Sequence, residues 1–306
     1  MTEDDLLGSF DRHRRLLFTV AYEMLGSVAD AEDVVQDAWL RWSAADRDEV
    51  ADPRAYLVRI VSRLALDRLR SARAQRETYV GPWLPEPLLT EAAPAPDPAE
   101  AVEIGEQVSL ALLVVLETLS PLERAVFVLR EVFGMSAAEV AAVLDRSEAS
   151  IRQTAHRARE HVEARRPRFD ADRTTQRAVT ERFFAAVAGG NVDELMAVLS
   201  PGVVLVSDGG GKTRAALRPL QGADKVARFL AAISATGLAT IPDLRVELTE
   251  VNGQPGVVGW SGDQPVLVVS LGVANAQVAQ VFLVVNPDKL AGLPAPPASR
   301  GLGSAG

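Results

Sequence analysis

Residues 136–162 read SAAEVAAVLDRSEASIRQTAHRAREHV. Ser136 and Glu139 stand at the S-x-x-E spacing of a capping box, which predicts a helix running to about Leu144. Asp145 and Arg146 make a short turn, and Ser147 caps a second helix. Val140 and Leu144 on the first helix can meet Ile151 and Ala155 on the second. That packing turns Glu148, Arg152, Gln153, His156, Arg157 and Arg159 outward. Two short helices, a tight turn and a polar second helix are the helix-turn-helix pattern, whose second helix enters the DNA major groove. A plain αα-hairpin with a solvated face has the same spacing.

Charge decides how that segment can be used. The 306-residue chain is acidic, with 41 Asp and Glu against 32 Lys and Arg and a formal net charge of −9. Residues 146–168 nevertheless carry seven arginines against three acids, so this patch can meet phosphate. The three lysines are Lys212, Lys225 and Lys289, so every earlier base is arginine, whose planar fork suits phosphate and bases. Genomic base composition would produce the same bias. Cysteine is absent, which excludes disulfides, thiolate nucleophiles and thiolate metal sites. The N-terminus lacks the apolar region of a signal peptide, and no run of about 18 apolar residues could span a bilayer. A cytoplasmic chain without membrane contact is the expectation.

Residues 1–76 have helical periodicity, as in Leu17, Val20, Ala21 and Met24. In SVADAEDVVQDAWLRW (27–42), Asp30, Asp33 and Asp37 line one face, with Val34, Val35, Ala38 and Trp39 behind them. No histidine lies nearby and the spacing suits no metal cage. The face is an acidic docking surface for a basic partner, or simply solvated. Asp52-Pro53 starts the next helix. Between Arg54 and Arg76 it holds seven arginines and one acid, Asp67. Arg59, Arg63 and Arg70 share a face, with Arg54, Arg68, Arg73 and Arg76 near it, a footprint for nucleic acid. Trp42 and the loop 43–52 stand where an unpaired base could bind.

Residues 81–103 hold six prolines, five acids and no base, and read as a linker. Trp83 and Leu84 are too apolar for plain spacer and should dock. Helix resumes over about 104–162. Beyond Phe169 come helices near 174–188, 192–199 and 222–235 and the short runs VVLVS, LRVELTEV, VVGWS, VLVVSLGV and VAQVFLVV, separated by turns. The expectation is an α+β domain with a curved, mostly antiparallel sheet. Asp208, Glu247 and Glu250 are the candidate bases there, but no acid–base pair is set by spacing, and the C-terminal half has no histidine. Asp208 beside three glycines reads as turn chemistry, Asn286-Pro287 as a chain reversal, and DGGGK departs from P-loop spacing.

The order of parts, AEDVVQDAWLRW, then DPRAYLVRIVSRLALDRLR, then LSPLERAVFVLREVFGMSAAEVAAVLDRSEASIRQTAHRAREH, resembles the extracytoplasmic-function sigma factors of bacterial RNA polymerase over about 5–166. The resemblance implies a non-enzymatic promoter-specificity subunit that needs no cofactor. Region two (1–78) would bind the β′ clamp helices through Asp30, Asp33, Gln36 and Asp37, and read the −10 element with Arg54, Arg59, Arg63 and Arg70. After a linker (79–104), region four (105–168) would bind the β flap and read the −35 element with Glu148, Ser150, Arg152, Gln153, His156, Arg157 and Arg159. VTERFFAAVAGGNVDELMAVLSPGVVLVSDGGGK is similar to the opening of SnoaL-like cone domains, here 169–290 with a disordered tail at 291–306. WLPEP, DGGGK and NPDKL resemble the sigma-factor subgroup carrying this extension. That places regulatory contacts at Trp83, Leu84, Pro85, Glu86 and Pro87, at Asp208 and Lys212, and at Asn286, Pro287, Asp288, Lys289 and Leu290. The fold class implied is two all-α sigma domains followed by an α+β SnoaL-like cone, whose pocket could take a small-molecule ligand. A dimeric ligand-responsive helix-turn-helix regulator is the alternative, and it leaves the acidic 30–37 face unexplained.

Overall fold

The computed structural model describes residues 3–45, 50, 52–76, 78–90, 108–165, 172–237 and 240–296. Residues 46–49 and 51 of the expected −10 loop, positions 91–104 of the linker, the start of the helix expected from 104, positions 166–171 and the tail from 297 lie outside the described residues. The chain divides into two compact units, Met1–Tyr79 with Ala92–Arg168 and Val80–Glu91 with Phe169–Gly306.

The first unit is helical. Helices α1 (Glu3–Leu25), α2 (Val28–Ser43) and α3 (Pro53–Arg76) pack on one another around Leu17, Met24, Leu57 and Val61, all fully buried. Ser27 caps α2 by accepting the Asp30 N–H, and Asp52 caps α3 by accepting that of Ala55. Helix α4 (Leu110–Leu116) follows, then α5 (Pro121–Phe127), which runs into a π-helical turn (Val128–Val132). Helices α6 (Ala137–Leu144) and α7 (Glu148–Arg165) complete the unit. Regions two and four, read as separate domains from sequence, share this unit, with α3 against α5 and α6. Trp42 corrects the reading above: it is 1% exposed, tilted against Tyr56 with ring centroids 5.8 Å apart, and so belongs to the core rather than to a base-stacking surface.

The second unit is α+β. Helices α8 (Arg173–Gly189) and α9 (Val192–Val198) precede β1 (Leu199–Asp208); β2 (Leu220–Gln221) and α10 (Ala223–Ala232) follow. Strands β3 (Leu244–Val251), β4 (Gln254–Ser261), β5 (Gln264–Ala274) and β6 (Gln277–Val284) lead to a last helical turn, α11 (Pro287–Leu290). The sheet order is β2-β1-β6-β5-β4-β3, with β1 and β6 parallel and every other pair antiparallel. Phe183, Leu195, Leu205, Val226 and Val281 fill the core between the helices and one face of the sheet. Asn252-Gly253 closes the β3–β4 hairpin with both φ values positive, as a tight hairpin turn requires.

Residues 80–90, read above as linker, pack as part of this unit. Leu89 bridges Val251 antiparallel, Thr90 N–H donates to Glu250 O at 3.0 Å, and Asn252 N–H donates to Leu88 O at 2.8 Å.

Candidate functional site

The helix-turn-helix forms as its caps dictate. Ser136 and Glu139 make both hydrogen bonds of the capping box, Asp145 closes α6 at φ 54°, and Ser147 Oγ accepts the Ser150 N–H at 3.2 Å. Val140, Ile151 and Ala155 are buried between the helices. Glu148, Arg152, Gln153, His156, Arg157 and Arg159 are exposed on one polar face of α7, and Ser150 is half-buried at its start. Neighbouring acids hold several of these side chains in place: Arg152 pairs with Glu148, His156 Nε2 lies 3.6 Å from Glu160, and Arg159 lies 3.0 Å from Glu131. The Ser120 hydroxyl, with Arg157 and His161 nearby, holds the Glu123 carboxyl below its usual range.

The arginines of α3 do not stay on one free face. Arg63 donates from Nε to the Val143 carbonyl of α6 at 2.7 Å, so it ties region two to the helix-turn-helix. Arg70 pairs with Asp67 at 2.9 Å, and Arg59 sits 5.5 Å over the Tyr56 ring. Arg54 and Arg59, with Tyr56, Phe133, Met135 and Glu139, line an open groove of about 490 Å³ between α3 and the π turn. Arg68 turns to the opposite side and bridges Asp30 and Asp33, each at 2.7 Å. On that acidic face Gln36 and Asp37 remain exposed. Helical spacing alone could not assign each arginine its partner, because the partners lie on other helices.

Sequence reasoning missed Glu23. It is 1% exposed, with Oε1 accepting the Val108 N–H at 3.1 Å and, among the described residues, no partner for Oε2. Arg124, equally buried, donates to the Glu23 backbone carbonyl at 3.3 and 3.4 Å and pairs with Glu117. Burial pushes the Glu23 carboxyl up to about 8, while the Val108 N–H and the Arg124 charge pull the other way. The signal was a lone acid inside the apolar run TVAYEML (19–25).

In the second unit the three motifs meet. Asp208, fully buried at the end of β1, accepts Lys289 Nζ at 2.7 Å and the Leu84 N–H at 2.8 Å on Oδ2. Its Oδ1 accepts the Gly210 N–H at 3.1 Å, the turn chemistry expected from sequence. Lys289 also donates to the Leu84 carbonyl and lies 3.9 Å from the Trp83 ring centroid. Leu84, Pro85, Pro87 and Leu290 are buried, Glu86 is half-buried and Pro287 is exposed. Asn286 caps α11 by accepting the Asp288 N–H at 3.1 Å, and Asp288 pairs with exposed Lys212 at 2.6 Å. Gly210 has φ 59°, and a Cβ there would lie 2.4 Å from the Asn286 amide, so this position excludes a side chain. DGGGK is therefore the bed on which NPDKL lies, and together they clasp the linker.

Asp208 stands on β1 and Glu247 and Glu250 on β3, with β6, β5 and β4 between, so these carboxylates do not form one site. Glu250 lies 3.5 Å from Arg173. Among the described residues no group of His, Asp or Glu could hold a metal ion, and no helix is long and apolar enough to cross a membrane.

Residues 10–75 match the Sigma-70 region 2 family, 109–162 the Sigma-70 region 4 family and 180–284 the SnoaL-like domain family. The chain is 41% identical to the ECF RNA polymerase sigma factor SigJ of Mycobacterium tuberculosis, over 96% of this chain and 98% of that one. It is 32% identical to the probable ECF RNA polymerase sigma factor SigI of the same organism, over 94% and 95%. The crystal structure of the Mycobacterium tuberculosis SigJ superposes with a TM-score of 0.75 at 38% identity, covering 95% of this chain and all of that one. The chain belongs to the extracytoplasmic-function sigma factors of RNA polymerase, with a SnoaL-like domain fused behind region four.

Proposed function

We propose that the fused domain restrains the two promoter-reading regions by gripping the chain that joins them. Sigma factors of this family bind core RNA polymerase and promoter DNA, and direct transcription initiation. Within that role we assign the −35 element to Arg152, Gln153 and the neighbouring exposed residues of α7. The −10 element falls to Arg54 and Arg59 at the start of α3, the β′ clamp helices to the face of Asp30, Asp33, Gln36 and Asp37, and the β flap to region four. Arg63 and Arg70 contribute only after their present partners let go. Region two ends at α3 and region four begins at α4, and residues 80–90 lie on the only covalent path between them.

The observation that carries the reading is the buried Asp208–Lys289 pair closed around the Leu84 backbone. While residues 80–90 are held, they cannot lengthen the path between the two regions. Release adds length to the tether, and an unstructured tether grows about as the square root of its residue number. Arg63 bonded to Val143 keeps the regions packed, so a longer tether favours their separation on a promoter. Because Phe183, Val226 and Val281 fill the cone, we place the regulation in the clasp and not in a ligand pocket.

Run-off transcription with bacterial core polymerase tests this, comparing the full chain, Lys289→Ala and a truncation ending at Arg168. Higher output from both altered chains is expected, and output equal to that of the full chain would refute the restraint. For the polymerase face, Asp33→Arg is expected to weaken capture of core enzyme while leaving the circular dichroism unchanged. Unaltered capture would reject that assignment.

A further inference from the structure

We propose that the outer edge of β3 is a homodimerisation strand, on which residues 244–248 pair antiparallel with the same residues of a second copy. Strand β3 ends the sheet. Thr90 N–H bonds to Glu250 O and Asn252 N–H to Leu88 O, so even-numbered residues of β3 direct their backbone groups outward. Leu244, Val246 and Leu248 therefore present their N–H and C=O groups at the open edge. Among the described residues no backbone group takes them. Val246 is 49% exposed and Leu248 37%, an apolar pair that a solvated edge strand does not ordinarily carry. The chain beyond Thr90 is a poor rival occupant, because Pro94 and Pro96 have no backbone N–H to donate to a strand edge.

The sequence LRVEL (244–248) is complementary to its own reverse, which makes a second copy the fitting occupant. A two-fold axis through Val246 sets Val246 against Val246 of the second copy, Arg245 against its Glu247 and Leu244 against its Leu248. The parity also agrees. Val246 and the Leu244–Leu248 pairs fall at hydrogen-bonded positions, so the backbones exchange both bonds at each. The Arg–Glu pairs fall at the intervening positions, where cross-strand side chains lie closest. Moving the axis to Leu248 would set Val246 against Glu250 and Glu247 against Thr249, which loses the match. Pro242 on one side and the bond from Thr90 to Glu250 on the other limit the pairing to these five residues. So short an interface is reversible and concentration-dependent.

Sedimentation velocity of the full chain over a concentration series is the test, with Arg245→Glu, Glu247→Arg and the double exchange. Either single change sets like charges opposite one another twice across the two-fold and should weaken association at least about tenfold. The double exchange restores opposite charges and should recover it. The chain has no cysteine, so Val246→Cys supplies a single thiol on the two-fold. A hydrogen-bonded pair holds Cα atoms about 5.5 Å apart, within disulfide reach, so oxidation should yield a covalent dimer. A chain monomeric at every concentration overturns the proposal. So does a dimer that neither single change weakens, or one that the double exchange weakens further. If a single variant does not fold, Val246→Cys decides alone, and no disulfide dimer rejects the two-fold.

Discussion

Replacing Lys289 with alanine leaves the Asp208 carboxylate, 0% exposed, without the cation that now lies 2.7 Å away. Removing one partner of a buried ion pair costs about 3–5 kcal/mol, because the remaining charge is neither hydrated nor compensated. Here the Leu84 carbonyl and the Trp83 ring lose the same ammonium. The cost falls on the clasped state, since Asp208 is rehydrated when residues 80–90 leave. At about 1.4 kcal/mol per tenfold, opening of the segment should rise by roughly two to three and a half powers of ten. Amide hydrogen exchange by mass spectrometry reads this in peptides covering Leu84, whose N–H is bonded to Asp208. Lys212→Ala is the control, because the Lys212–Asp288 pair is exposed and contributes less than about 1 kcal/mol. The combined Asp208→Asn and Lys289→Met change removes both charges and should restore much of the protection. If Leu84 exchanges in Lys289→Ala as slowly as in Lys212→Ala, the buried pair is not what holds the linker.

On the face of α7 proposed to read the −35 element, Arg152→Ala should cost about 1–3 kcal/mol in promoter binding by the polymerase complex and relax preference at one position, measured on a panel of promoter variants. A uniform loss across the panel would make Arg152 a phosphate contact. Glu23 gives the helical unit a pH dependence whose sign follows from its raised carboxyl, from the usual 4.5 to about 8. The folded unit binds this proton more tightly than the unfolded chain, so the stability Glu23 contributes is full below 4.5 and is lost as pH rises through 8. Urea unfolding of the helical unit's far-ultraviolet signal between these limits should show that fall, and Glu23→Gln should flatten it. An equal slope in both chains would clear Glu23 of the effect.

Local chemistry made half of this molecule legible. Ser136, Glu139, Asp145 and Ser147 set the helix-turn-helix because caps act within one turn of their own residue. Asp52-Pro53 started α3 for the same reason. Features that depend on distant partners were not readable. Trp42 beside a polar loop looked available to a base, yet Tyr56 and its neighbours bury it. Arg63 and Arg68 lie five residues apart on one helix and serve different tasks, one bonded to Val143 and the other to Asp30 and Asp33. Asp208 gave a turn signal through Gly210, but its second oxygen is satisfied from positions 124 residues before and 81 residues after it. Strand β2 is two residues long and carries no period at all.

The separation of Leu84 from Lys289, 205 residues along the chain, has a consequence during synthesis. A ribosome adding about 5–20 residues per second needs on the order of 10–40 s to pass from one to the other. Both promoter-reading regions are translated within or before that interval, and folding of their short-range helices is faster by orders of magnitude. Each new molecule therefore spends its first moments unclasped, and Lys289 closes on Asp208 and Leu84 only when the last helical turn has left the exit tunnel. A chain that stops at a nonsense codon before Lys289 never forms this contact.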